Sequence, residues 1–459
     1  MVVTQGVRHV NRSPWLHQLR SIRRVRTKLR SHARAKTVII GGGIAGVMTA
    51  YFLLRDTRTN VTLIEATKIA HGATGHNAGQ IVSYFERSFS DIVQEYGLTL
   101  AARGQEEIIS AWKLLKSIYA DVPLTAEFSH FIGYAGCSTL AQVVSHLENK
   151  RLRALAKLRL EEVYLSDRAP FLKQIPGKYK QLYTVVPHEK ITQLLETRDT
   201  YYAAFASKKG CLNGALFTEE LVGYLLTTYP RRFTLYEHTP IKALALGTHP
   251  VLTTKQNKKI TAQRVVLCTN GFEQFTITDS EGSAINTLFH DYIRGVVGYM
   301  AGYIDQTPKK PFAVSYFSPL FTKREDPYFY VTRRAFELTK KRTDTLVCIG
   351  GPEVFLDDHT AYKRHRPYFV KREKEIDSFV TKTLAFAPLH PLYRFHWHGL
   401  MGYTRNGLRA IGAHPRHPSF FLNLGCNGVG ILPSIYGGYR IARLIAGIKL
   451  PPSIFDVKL

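Results

Sequence analysis

The sequence predicts an α/β protein: a Rossmann-like nucleotide-binding domain with an interleaved α+β domain. Three observations predict it. A β-branched strand runs into G-x-G-x-x-G and an apolar helix close to residue 40. A second strand runs through glycines into a helix near residue 425. Between them a mostly helical stretch, 88–210, precedes a strand-rich one, 290–355. The chain of 459 residues is 45% hydrophobic with 34 Gly and 21 Pro, enough for a large core and two domains. That composition excludes a disordered, fibrous or disulfide-stapled protein. Cys137, Cys211, Cys268, Cys348 and Cys426 are scattered without a CxxC pair, as free thiols of a reducing, cytoplasmic compartment would be.

Residues 1–36 form a leader with ten basic side chains and no acidic one. The net charge of +27, less those ten, leaves +17 on the rest, so the excess is global. Such a field attracts nucleic acid, anionic lipid or anionic small molecules, or simply keeps the surface soluble. The leader admits three readings. It is Arg-rich like an organellar transit peptide but lacks the apolar core of a secretory signal. Residues 16–34 could lie as a basic helix on an anionic membrane surface. The favoured reading is a leader docked on the body through Pro14-Trp15-Leu16, because an isolated Trp wants a pocket. The uncharged stretches 37–54 and 420–439 are broken by glycines and Pro433, so no integral membrane span is expected.

The chemistry begins at residues 37–40, Thr-Val-Ile-Ile, a buried parallel strand by composition. Gly41-Gly42-Gly43-Ile44-Ala45-Gly46 follows, then an apolar helix over 47–54 and a second strand, 61–64, ending in Glu65. In this setting Gly41 permits the tight turn, Gly43 admits a pyrophosphate, and Gly46 lets helix and strand pack closely. The helix N-terminus favours phosphate, and Glu65 would accept hydrogen bonds from the adenosine ribose. The motif alone does not choose between FAD and NAD.

The following residues, Ala66 and then Ala70-His-Gly-Ala-Thr-Gly-His-Asn-Ala-Gly-Gln80, include Thr74, Gly75, His76, Asn77, Ala78 and Gly79. This run resembles the second flavin-contacting loop of the FAD-dependent amine and amino-acid oxidoreductases (D-amino-acid oxidase, glycine oxidase, sarcosine oxidase). Further similar segments come in order over about residues 37–450. The helix 217–225 and the stretch 233–242, whose backbone near Ile241 would hold adenine, are followed by Thr269-Asn270-Gly271. Then come 347–353, Trp397-His398-Gly399 and the run Gly425-Cys-Asn427-Gly428-Val429-Gly430, leading into Ile431. The resemblance implies FAD as cofactor, a Rossmann-like FAD-binding domain, and an α+β substrate domain whose mixed sheet roofs the flavin. It assigns 37–88, 211–275 and 395–459 to the first, and 89–210 and 276–394 to the second. The N–H groups before Ile431 could stabilise charge at the reduced flavin.

The sequence departs from the family where Asn406-Gly407 replaces Asp-Gly. Met401 stands near the cysteine that tethers flavin in monomeric sarcosine oxidases. His76 falls where relatives carry a flavin-linked histidine, which leaves a covalent bond and an ordinary loop histidine both open.

The resemblance also implies hydride transfer from a small amine or amino acid to flavin N5, giving an imine that hydrolyses. Oxygen, a quinone or an electron-transfer protein would accept the electrons. An amino-acid carboxylate calls for an arginine clamp, and Arg294, Arg333 or Arg334 are the candidates, with Tyr328 or Tyr330 beside them. Arg333 and Arg334 must point to opposite faces of a strand. The catalytic candidates are therefore Arg333, Tyr330 and His398. His396 and His398 share a strand face, but two histidines without a third ligand do not make a metal site. Two alternatives remain open at this point: a flavin enzyme acting on RNA, similar to tRNA wobble-uridine modification enzymes, and a non-catalytic flavin-binding protein.

Overall fold

The computed structural model describes residues 10–19, 27, 29, 32–198, 201–317, 328–339, 342–388 and 391–458. Among them the strands form two sheets, of nine and ten strands. The centre of the first is parallel: His417–Leu424, Lys259–Leu267, Ala33–Ile40, Val61–Ile64 and Phe233–Tyr236 lie side by side. The last four residues of Ala33–Ile40 are buried without alternation, as a strand covered on both faces requires. Helix Ile44–Asp56 buries 11 of its 13 residues, which explains why it is apolar all round. It packs against helix Ile431–Ile445, where a Cβ on Gly438 would stand 2.7 Å from the Met48 and Thr49 backbone.

The second sheet runs Tyr393–Thr404, Ile293–Asp305, Arg342–Leu356, Phe329–Thr339, Phe312–Tyr316, Phe128–Cys137 and Ala203–Leu212, with short strands beyond. Its register places Gly399, Gly298 and Glu353 side by side. Helix Val370–Thr383 covers one face through Ile376, Phe379 and Val380.

Residues 88–210 are mostly helix and turn, as expected, and also carry a long antiparallel ladder of Phe128–Cys137 with Ala203–Leu212. Neither strand alternates cleanly, and each finds its partner about 70 residues away, so local pattern hides them. Two expectations are corrected here. Strand Tyr393–Thr404 hydrogen-bonds into the second sheet rather than the first. Thr276–Thr278, conversely, joins the first.

The leader reading that the structure displays is the docked one. Ser13 caps the short helix Pro14–His17, and Trp15 is fully buried. The basic-helix reading of 16–34 falls largely outside the described residues. Among the described residues no helix is long and apolar enough to cross a membrane.

Candidate active site

One large cavity lies between the carboxyl ends of the first sheet's parallel strands and the face of the second sheet, the usual ligand position in such folds. At one end Glu65, Ala66 and Thr67 face Thr239, Pro240 and Ile241. Glu65 is held in place by the N–H of Gly42 at 2.8 Å and by Thr67, whose N–H and hydroxyl both donate to it. Next come Gly41, Gly43, Ile44 and Ala45, facing Thr269, Asn270, Val429, Gly430 and Ile431. Thr74, His76, Asn77, Ala78 and Gln80 form a further wall with Gly399 and Gly428.

The glycines explain the tightness of this cradle. Gly41 has φ 110°, and a Cβ there would meet Cys268 O at 2.5 Å. A Cβ on Gly46 would stand 1.9 Å from Gly41 O, so Gly46 shapes the loop without lining the cavity. Gly75, Gly79, Gly271, Gly425 and Asn427 also do not line it. Gly75 and Gly79 leave room for Leu16 and Trp15 of the leader, and Gly271 for Ile293. Gly425, at φ 82°, sits against Thr404, and Asn427 Oδ1 accepts from the Thr404 N–H at 2.8 Å. Asn270 ties the two halves together, accepting from the Cys426 N–H at 2.9 Å.

Two catalytic expectations are corrected. Arg333 does not line the cavity. Its guanidinium forms a two-pronged pair with Glu196 at 2.6 and 2.8 Å and packs on Phe312 and Phe386. That partner lies 137 residues away and gave no local signal. His398 alternates with Gly399 on its strand and faces away from the cavity. Its Nε2 lies 2.9 Å from Arg366 O and its Nδ1 3.1 Å from the Tyr362 hydroxyl. Arg334 points opposite to Arg333, as strand geometry requires, and stacks on Trp15, while Arg294 is exposed over Phe355. Tyr330 does line the cavity, with Tyr328 beside it.

His76 is buried against the cavity, with Nδ1 3.0 Å from Gly72 O. Burial lowers its pKa to about 4, so the ring is neutral. Because a carbonyl only accepts, Nδ1 carries the proton and Nε2 the lone pair. His396, with no local acidic neighbour in sequence, meets Glu373 at 2.8 Å. Among the described residues no group of three or more His, Cys, Asp or Glu is placed to hold a metal.

Sequence reading missed Arg409, Tyr84, Glu86, Glu353 and Tyr403, all of which line the cavity. Arg409 is a buried cation whose acceptors are neutral: Asn423 Oδ1 at 2.5 Å, Asn423 O at 2.9 Å and Gly425 O at 3.4 Å. Burial lowers it to about 10, which still leaves it charged at neutral pH. A buried cation without a carboxylate, lining a glycine cradle between two helix N-termini, fits an anionic dinucleotide.

The family described as DAO, FAD dependent oxidoreductase, matches residues 36–444. The chain belongs to this family. It is an FAD-dependent oxidoreductase, and its two-sheet architecture is that of the family. Glycine oxidase from Geobacillus kaustophilus shares the fold, with TM-score 0.66 at 15% identity, covering 93% of this chain and 99% of that one. Among curated relatives, gamma-glutamylputrescine oxidoreductase of Escherichia coli (strain K12) is 35% identical over 63 residues, 14% of this chain and 15% of that protein. Mitochondrial dimethylglycine dehydrogenase of Homo sapiens is 46% identical over 52 residues, 11% of this chain and 6% of that protein. The matches span 27% or less of the curated relatives' lengths.

In this DAO-family chain Arg409→Gln is expected to weaken FAD binding roughly 10- to 100-fold, since a hydrogen bond to a charged group is worth about 1.5–3 kcal/mol. Titrating the apoprotein and following the quenching of FAD fluorescence measures it. Unchanged affinity would show that Arg409 serves only the fold.

Proposed function

We propose that this FAD-dependent oxidoreductase oxidises a small amine or amino acid at the carbon bearing nitrogen. The carrying observation is that the cavity continues past the flavin-type loops into a tyrosine-walled chamber under the second sheet. Bound FAD supplies the hydride acceptor. The chain supplies position: Gly298 and Gly399, adjacent across two strands, line the cavity with Met300 and Met401, and Tyr328, Tyr330 and Tyr403 wall the chamber. Little proton-transfer machinery is needed, provided the amine reaches the reacting position neutral.

The names of the glycine oxidase and gamma-glutamylputrescine oxidoreductase relatives point the same way. Action on RNA and a non-catalytic role find no support among the comparisons. The strands around the glycine cradle would form the cofactor domain and the second sheet the substrate domain. Reoxidation falls to oxygen, a quinone or an electron-transfer protein.

The test is anaerobic mixing of the FAD-loaded protein with a panel of amines and amino acids. Loss of the visible flavin band with at least one of them is expected. A band that persists across the whole panel would remove the proposal. Acid precipitation of the same sample sorts the two readings of His76, because colour in the pellet means a covalent link and colour in the supernatant a free cofactor.

A further inference from the structure

The far end of the cavity is acidic. Glu86 and Glu353 both line it, together with Tyr84, Tyr328, Tyr330 and Tyr403. Glu86 accepts from the Tyr328 hydroxyl at 2.6 Å, and Glu353 has no hydrogen-bond partner among the described residues. A Cβ on Gly428 would stand 2.7 Å from the Tyr403 hydroxyl and 2.9 Å from Glu86 Cγ. The acidic end therefore abuts the C-terminal flavin loop. A second observation points to a ligand there. The hydroxyls of the half-buried Tyr330 and Tyr403 line the space and make no hydrogen bond among the described residues. Both feel the charges of Glu86 and Glu353.

Arg364 and Arg409 are the arginines among the described residues that line the cavity, and both donate to backbone or amide oxygens on the flavin side. Arg333 is taken by Glu196, Arg334 lies under Trp15, and Arg364 donates to His71 O in the flavin loop. Lys209 is buried behind Tyr84, donating to Tyr134 O and Ser315 Oγ. Above about pH 8, where Glu353 is ionised, an incoming carboxylate would meet like charge. We infer that the substrate is an aliphatic amine without an α-carboxylate that enters as its cation. Glu86 and Glu353 hold the ammonium inside a cage of tyrosine rings and take up its proton before the neutral amine gives hydride to the flavin. This rests on the flavin reading and narrows it from amines and amino acids to amines. Tyrosine faces add attraction for a desolvated cation.

Titration of the site supports the same reading. Burial, with the charge of Glu86 adding to it, raises Glu353 to about 8, and burial lowers Lys209 to about 7. Burial also raises Glu86 and keeps Tyr84, Tyr328, Tyr330 and Tyr403 protonated well beyond neutral pH. As pH rises from 6.5 to 9, Glu353 gains negative charge and Lys209 loses positive charge. Both changes favour a bound cation.

The experiment uses the full-length, FAD-loaded protein and reads the flavin spectrum during titration with tetramethylammonium, butylammonium, acetate and benzoate. The two cations are expected to perturb the spectrum saturably and the two anions not. Tetramethylammonium, which cannot titrate, should bind more tightly as pH rises to 9. Glu353→Gln, which removes no hydrogen bond between described residues, should weaken it by about tenfold or more at pH 9 with flavin content unchanged. Glu86→Gln should act in the same direction. Saturation by the anions alone, by none of the four, or cation binding indifferent to both substitutions would overturn the inference and leave the flavin reading intact. A protein that cannot hold FAD would instead fail the reading beneath it.

Discussion

Gly46→Ala is expected to give a colourless protein. The added methyl would stand 1.9 Å from Gly41 O and 3.3 Å from the Ile39 side chain. Neither can yield cheaply. Gly41 is at φ 110° and closes the turn on which the cradle depends, and Ile39 is fully buried in the centre of the parallel sheet. Relief would push the helix Ile44–Asp56 off its strand and carry its N-terminal N–H groups away from the phosphate position. Overpacking of this kind costs about 1–3 kcal/mol even in forgiving cores. Here the displacement falls on the binding surface itself, so FAD affinity should drop about 100-fold or more, since each ~1.4 kcal/mol is tenfold. Fluorescence titration with FAD measures the loss. The control is Gly223→Ala in the helix Gly214–Thr228, where a Cβ meets nothing within 4 Å. It should bind FAD normally and gain up to about 1 kcal/mol from helix propensity. Normal colour in the Gly46 variant would mean that the cradle deforms more readily than its contacts indicate.

That contrast shows what the sequence could display. The first cradle was legible because its physics is local. A strand, three glycines with distinct tasks, a helix and Glu65 lie within 30 residues, and the carboxylate finds the Gly42 N–H only 23 residues back. The second cradle was legible for the same reason, from Phe420 into Ile431. Tyr330 is predicted as the hydroxyl partner of an arginine clamp; it does line the cavity, but the arginine it was to partner does not.

Arg333 failed because its fate depends on Glu196, which occupies a left-handed position after the helix His188–Leu195, at φ 51°. Nothing near residue 333 announces that partner. The acidic chamber was hidden in a similar way. Glu86 follows the flavin loop, Glu353 lies within the strand Arg342–Leu356, and only the tertiary fold brings them to one space. Several glycines read as cofactor contacts are instead clearances for other parts of this chain. Gly75 and Gly79 face the leader, so a motif residue can be spaced for a ligand and still serve packing.

The leader supplies the other large expected effect. Trp15→Ala should both destabilise the fold and loosen FAD. The indole is fully buried, donates through Nε1 to Asn77 O at 2.5 Å, and lies against Gly79 and under the Arg334 guanidinium. Its neighbours reinforce the contact: Ser13 Oγ donates to Gly75 O at 2.5 Å, and the Arg12 N–H donates to His396 O at 2.7 Å. Asn213, which caps the helix Gly214–Thr228, reaches Trp15 O and Gln18 Oε1. One short segment thus joins the loop that carries His76 to a strand of the second sheet and to a helix of the first.

Truncating a buried Trp costs about 3–5 kcal/mol. Because the vacated space borders Gly75 to Gly79, the loop against the cofactor should gain freedom, and FAD should dissociate roughly tenfold faster or more. Thermal unfolding of the FAD-loaded protein reads the first effect, and the rate of flavin fluorescence recovery after dilution reads the second. Trp15→Phe separates them. It keeps most of the apolar area but not the bond to Asn77, so it should restore most of the stability and only part of the retention of FAD. A Trp15→Ala protein that melts lower while holding FAD as tightly as before would make the leader a staple of the fold alone, with no share in fixing the flavin loop.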